Sequence, residues 1–62
     1  MINKGRLEKA ILEHEYVVFH PYGDNSYLLL YTGDEEHMAT NRFFSYSGKT
    51  EIYKKGMRLS IR

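Results

Sequence analysis

Ser47-Gly48-Lys49-Thr50 ends as a phosphate-binding P-loop ends, in the order that lets backbone amides surround a phosphate while an ammonium neutralises it. The rest of that pattern is missing. Its first glycine would fall at Phe43, and the strand-then-helix context the motif needs is absent, so a hairpin turn is the better reading. Asp34-Glu35-Glu36-His37 gathers carboxylates and an imidazole, ligand types that hard or borderline cations accept. Adjacent side chains do not readily converge on one ion, and neither a calcium-loop spacing nor a His-x-x-x-His pair occurs. A solvated acidic loop is expected there, with no metal. His14, His20 and His37 also lack ligand spacing, and His14 is expected to pack at the end of a helix. No nucleophile stands beside a base in any recognisable motif, so the expectation is no catalytic residue, no cofactor and no enzyme.

The aromatic and basic residues are more informative. Six Tyr and three Phe occur with no Trp, and a tyrosine hydroxyl needs a partner or water, which favours half-exposed positions and interfaces. Tyr27, Tyr31, Arg58 and Arg62 are expected on one sheet face, with Phe44, Tyr46 and Tyr53 joining them according to register. Tyrosine and arginine together make binding hot spots, and rings beside cations also stack on single-stranded nucleic acid. Arg42, Lys49, Lys54 and Lys55 are the further candidates for contact with phosphate or an acidic partner. The competing reading of the aromatics is a second small core covered by loops.

These residues must be positioned by short elements. Ser26-Tyr27-Leu28-Leu29-Leu30-Tyr31-Thr32 is the one continuous apolar run; bounded by Gly23-Asp24-Asn25 and Gly33-Asp34, it has the length of a buried strand and not of a membrane span. Strand alternation directs Leu28 and Leu30 to one face, Tyr27, Leu29 and Tyr31 to the other. Before it, Asn3 is an N-cap and Ile2 with Leu7 a hydrophobic staple for a helix over about residues 4–14, with Leu7, Ala10 and Ile11 on its apolar face and Leu12 off it. Strands are expected at about 16–20, 26–32, 40–47, 50–55 and 57–62, the first two a hairpin around Pro21-Tyr22-Gly23-Asp24-Asn25. Lys54-Lys55-Gly56 reads either as a tight turn or as a bulge within one long strand. In the last segment Met57, Leu59 and Ile61 alternate with Arg58, Ser60 and Arg62, which predicts a half-buried strand with the apolar residues inward.

The fold class expected is α+β: a short N-terminal helix packed on a four- to five-stranded antiparallel meander sheet or a small, partly open barrel, with no βαβ unit. At 62 residues there is room for one domain, 1–62. With no cysteine there is no disulfide or thiolate site, and small folds lacking both lean on packing or oligomerisation. No signal peptide, anchor or myristoylation motif is read at the N-terminus, so no membrane association and a cytoplasmic location are expected. The net charge of +1 conceals an asymmetry. Residues 1–41 carry three basic against seven acidic side chains, residues 42–62 six against one.

A leading helix followed by five short strands resembles the order of elements in Sm-like RNA-binding barrels, and Ile52-Tyr53-Lys54-Lys55-Gly56 is similar to a short Tyr-Lys segment in some of them. Leu28-Leu29-Leu30 stands where their bent second strand uses glycine, and the resemblance assigns no family. The function expected is that of a small non-enzymatic protein-binding module, an inhibitor, adaptor or self-associating subunit, acting through the Tyr/Arg sheet face or a strand edge. Its size and single domain would suit a small regulatory protein of a phage or mobile element. The alternative is nucleic-acid binding through the basic C-terminal third, ranked second because a pI near 8.0 is well below that of typical nucleic-acid-binding domains.

Overall fold

The computed structural model describes residues 1–62 and shows an α+β fold with an open sheet. Its elements in order are α1 (Lys4–Glu13), β1 (Tyr16–Gly23), β2 (Ser26–Gly33), α2 (Glu36–Ser45), β3 (Glu51–Lys54) and β4 (Met57–Ile61). Every strand pair is antiparallel, and the strand order is β2-β1-β3-β4. This is not a meander. The chain leaves β2 at one edge, crosses by α2 and enters β3 on the far side of β1, so that β2 and β3 run parallel with β1 between them: a split βαβ crossover that the sequence reading had excluded.

The strand expected over residues 40–47 is helix α2. Its aromatic run suits a strand by propensity, but Ala39 and Phe43, four residues apart, fall on one helical face and are both buried. Glu36 in the first turn and Arg42 in the last complement the helix dipole. Helix α1 begins as expected, the Asn3 side chain accepting from the Arg6 amide at 2.9 Å. A second cap comes from the β1–β2 turn, where Asn25 accepts from the Lys4 amide at 2.9 Å. His14, expected to pack, is the exposed C-cap.

Alternate residues of β1 serve opposite faces of the sheet. Tyr16 and Val18 meet Ala39 and Phe43 of α2 together with Ile52, while Val17 and Phe19 meet Leu7 of α1. The helices therefore cover the two faces, giving three layers. Between Val18 and Phe19 the β1–β2 register shifts, with Leu30 as the extra residue of a β-bulge. The bulge resets the alternation. Tyr27 and Leu29 stay on the α1 side, whereas Leu30 and Tyr31 both pack on the α2 side. The first strand, expected to end at about residue 20, runs through Pro21 to Gly23. Its pairing with β3 ends at Phe19, so the missing amide of Pro21 faces no strand on that side.

Residues 50–62 form two strands joined by a tight turn, with positive φ at Lys55 (50°) and Gly56 (81°). No helix is long and apolar enough to cross a membrane.

Candidate functional site

The coverage of the sheet decides where a site can be. Helix α1 packs on β2 and β1, and α2 on β1, β2 and β3. A helix about 10 Å wide laid on strands about 4.8 Å apart shields roughly two of them. The α1 side of β4 is consequently bare and that of β3 only partly covered, and every residue of β4 is exposed. Met57, Leu59 and Ile61, expected inward, are 72%, 57% and 46% exposed.

The register places each side chain. Tyr53 lies opposite Arg58 and Glu51 opposite Ile61, all on the α1 side because Val17 and Phe19 of β1 pair with Tyr53 and Glu51. Ile52 opposite Ser60 and Lys54 opposite Met57 belong to the α2 side. A register shift between Ile52 and Tyr53 makes Leu59 the extra residue of a second bulge, which breaks the expected alternation of β4. Met57 and Ser60 go to one side, Arg58 and Ile61 to the other, with Leu59 at the bulge between Arg58 and Ser60.

The single Tyr/Arg face expected from the sequence is thus divided. Tyr27 packs against Phe19 at 5.6 Å on the α1 side and is bridged to Ile2, which pairs its backbone with β2 there at 2.9 Å in both directions. Tyr31 lies on the α2 side, where its hydroxyl accepts from the Glu35 amide at 3.1 Å and lies across Gly33. Tyr46 stacks on His20 at 5.0 Å, and the His20 ring bonds the Lys49 carbonyl. Tyr53 lies 5.8 Å from Phe19, half-buried. Phe44 is 66% exposed at the end of α2.

The basic residues are also dispersed. Arg58 lies 3.8 Å from Glu51 on the α1 side. Arg62 lies on the other, donating from Nη1 to the carbonyls of Phe43 (3.0 Å), Phe44 (2.9 Å) and Tyr46 (3.0 Å), with its guanidinium 5.9 Å from the Phe44 ring. It closes the C-terminus of α2, a role no spacing in the sequence announced. Arg42 reaches back to the Leu30 carbonyl at 3.1 Å. Lys54 lies 5.5 Å from the Tyr16 ring centroid, and its ammonium is held above its ordinary pKa, first by hydrogen bonding to and the charge of the Tyr16 phenol, then by the Glu36 and Glu15 carboxylates. Lys55 is in the β3–β4 turn, its amide bonded to the Glu15 carbonyl.

What remains together is a strip: Tyr53 and Arg58 across β3 and β4, Ile61 beside them, Leu59 at the bulge, and the unpaired outer edge of β4, with Met57 and Phe44 behind it. Leu59 and Ile61 are the members the sequence reading assigned to the core. The signal that finds them is the width argument above, since one helix of ten residues cannot shield four strands. The other sheet edge is different, because Ile2 occupies it at Tyr27.

The remaining surface offers less. The largest depression, about 760 Å³, is a shallow strip on the outer side of α2 lined by Glu36, His37, Thr40, Asn41, Phe44 and Ser45. No group of three or more His, Cys, Asp or Glu side chains is gathered as a metal would need. No family model, curated protein or solved structure matches the chain.

Proposed function

We propose that this chain is a non-enzymatic protein-binding module that takes an extended segment of its partner alongside β4. The observation that carries the reading is the edge position of β4, every residue of which is exposed, Leu59 and Ile61 among them. An unpaired strand presents a row of amides and carbonyls that another chain can complete, while side chains of alternate residues supply the specificity. Natural edges are usually blunted by an inward charge, a proline or a covering segment. Edge β2 has Ile2 against it; along β4 neither a proline nor a covering segment occurs, and the strand is blunted only by the bulge at Leu59 and by Arg58. Tyr53 and Arg58 at its inner margin are residue types enriched in hot spots.

Nucleic-acid binding ranks second. Arg42, Arg58 and Arg62 already have partners within the chain, which leaves fewer free cations than the basic C-terminal third suggests. The test compares proteins retained from host lysate by the immobilised chain, by a Leu59→Lys/Ile61→Lys variant and by Leu12→Lys, whose position on α1 is 83% exposed. The expected result is a protein held by the first and third and lost by the second, with circular dichroism unchanged. Identical retained sets for all three, or salt-sensitive oligonucleotide binding that survives the β4 changes, would overturn the reading.

A further inference from the structure

The two edges of the sheet differ in composition. β4 carries Arg58 within it and a bulge at Leu59. β2 carries neither a charge nor a proline over its eight residues, and the nearest charged side chains, Asp24 and Asp34, stand outside it. An uncharged run of three leucines, two tyrosines and a threonine has the composition of segments that pair with copies of themselves when an edge is open. β1 also lacks Asp, Glu, Lys and Arg, but it is flanked by a strand on either side. Only in β2 does such a composition coincide with an edge.

The structure shows what covers that edge. The Ile2 amide donates to the Tyr27 carbonyl and the Tyr27 amide to the Ile2 carbonyl, both at 2.9 Å, so a single residue closes the strand from outside. The half-buried Ile2 side chain packs on the cluster of Leu7, Val17 and Phe19, as Tyr27 and Leu29 do. Further along, Arg42 Nη1 donates to the carbonyl of Leu30, the bulge residue, at 3.1 Å. Apart from its ladder with β1, the backbone of β2 makes no other hydrogen bond.

We propose that Ile2 is an edge guard, a strap whose closure keeps β2 from pairing with the β2 strands of further copies of the chain. The start of α1 aims it. Asn3 follows immediately and caps the helix at the Arg6 amide, while Asn25 of the hairpin turn accepts from the Lys4 amide, both at 2.9 Å. Yet the closure itself is slight. Two backbone bonds and one half-buried side chain hold it, so it opens locally, without the core between α2 and the sheet coming apart. Opening frees the amide and carbonyl of Tyr27 in an uncharged strand. A second β2 fits there because identical uncharged segments align without like-charge contact, each completing the backbone bonds of the next. Each added strand leaves a new edge, so the assembly is open-ended. The inference concerns the edge opposite β4 and is independent of the binding role given to β4.

The experiment separates a guard from ordinary stability. Ile2→Ser keeps the backbone and removes the anchor of the strap. Leu7→Ala removes a buried member of the same cluster and leaves Ile2 in place. Both are compared with the unchanged chain at equal concentration, at a temperature where circular dichroism shows each folded, and assemblies are followed by thioflavin fluorescence and sedimentation. Ile2→Ser should assemble at least about ten-fold faster than the unchanged chain, the rise in open-edge population that follows from losing one half-buried aliphatic anchor. Leu7→Ala should not. Thr32→Lys places a charge in β2 outside both apolar clusters, and added to Ile2→Ser it should suppress assembly without restoring the anchor.

Hydrogen exchange of the unchanged chain reads the strap directly and decides alone should Ile2→Ser fail to fold. The Tyr27 amide should exchange by local opening, at a rate indifferent to low urea, whereas the Val18 amide of the central strand exchanges by global unfolding and accelerates with urea. Four results would each overturn the inference: no acceleration by Ile2→Ser, equally fast assembly of Leu7→Ala, no suppression by Thr32→Lys, or exchange of Tyr27 in step with Val18.

Discussion

Arg58 and Arg62 are equivalent by sequence spacing, yet the structure gives them unequal work, and replacing each by alanine measures the difference. Arg58 is half-exposed and lies 3.8 Å from Glu51, the kind of surface pair worth about 0–0.5 kcal/mol. Arg62 Nη1 has three carbonyls within 2.9–3.0 Å, but one such nitrogen carries only two hydrogens, so the bonds are shared. Removing it leaves no buried acceptor stranded. The Phe43 carbonyl keeps the Thr50 hydroxyl at 3.3 Å, the Tyr46 carbonyl keeps the Gly48 amide at 3.1 Å, and the Phe44 carbonyl lies at an exposed position. The cost is then the net value of charge-assisted bonds in a mostly exposed site, about 1–1.5 kcal/mol. A cation at a helix C-terminus adds about 0.3–1 kcal/mol, and the exposed contact with Phe44 at most about 0.5 kcal/mol. Arg62→Ala should lower stability by about 1.5–2.5 kcal/mol, and the midpoint of thermal unfolding by roughly 10 °C in a chain of this size. The assay is urea unfolding followed by circular dichroism at low micromolar concentration, where association contributes nothing. Arg62→Lys should fall between, keeping the charge without the planar fork. Equal midpoint shifts for Arg62→Ala and Arg58→Ala would refute the reasoning, because a pin across the end of α2 cannot cost the same as a loose surface pair.

Phe43→Ala should cost about 3–5 kcal/mol in the same assay, since the ring is fully buried between α2 and the sheet, whereas Leu59→Ala at an exposed edge position should cost less than about 0.5 kcal/mol. A large loss at Leu59 would mean that β4 turns inward. A Cβ placed on Gly33 would lie 2.5 Å from the Tyr31 hydroxyl and 2.9 Å from its ring, so Gly33→Ala must displace the ring and break its bond to the Glu35 amide. The expected destabilisation is about 1–3 kcal/mol. Gly33→Ala combined with Tyr31→Phe should cost less than the two changes taken separately, and strict additivity would remove the explanation.

The parts of this fold that are legible in the sequence are those set by local chemistry. Asn3 caps α1, Asp24-Asn25 carries the turn of the first hairpin, and Lys55-Gly56 supplies positive φ for the second. The parts that are not legible depend on a phase that one residue can reset. Leu30 is the extra residue in β2 and Leu59 in β4, and each bulge sends everything beyond it to the other side of the sheet. That is why Tyr27 and Tyr31, four residues apart in one strand, serve different helices. Helix α2 was obscured differently: Phe43, Phe44 and Tyr46 suit a strand, and only the Ala39–Phe43 spacing between Glu36 and Arg42 signals the helix. Once residues 36–45 are a helix, the consequences reach the candidate site. The chain then has helices for both faces of the sheet but not the width to cover both completely, and the uncovered part must fall at the edge farthest from α1. That edge is β4. The exposure of Ile61 on the α1 side is therefore a result of strand order, because the same residue placed beside β2 would lie under α1.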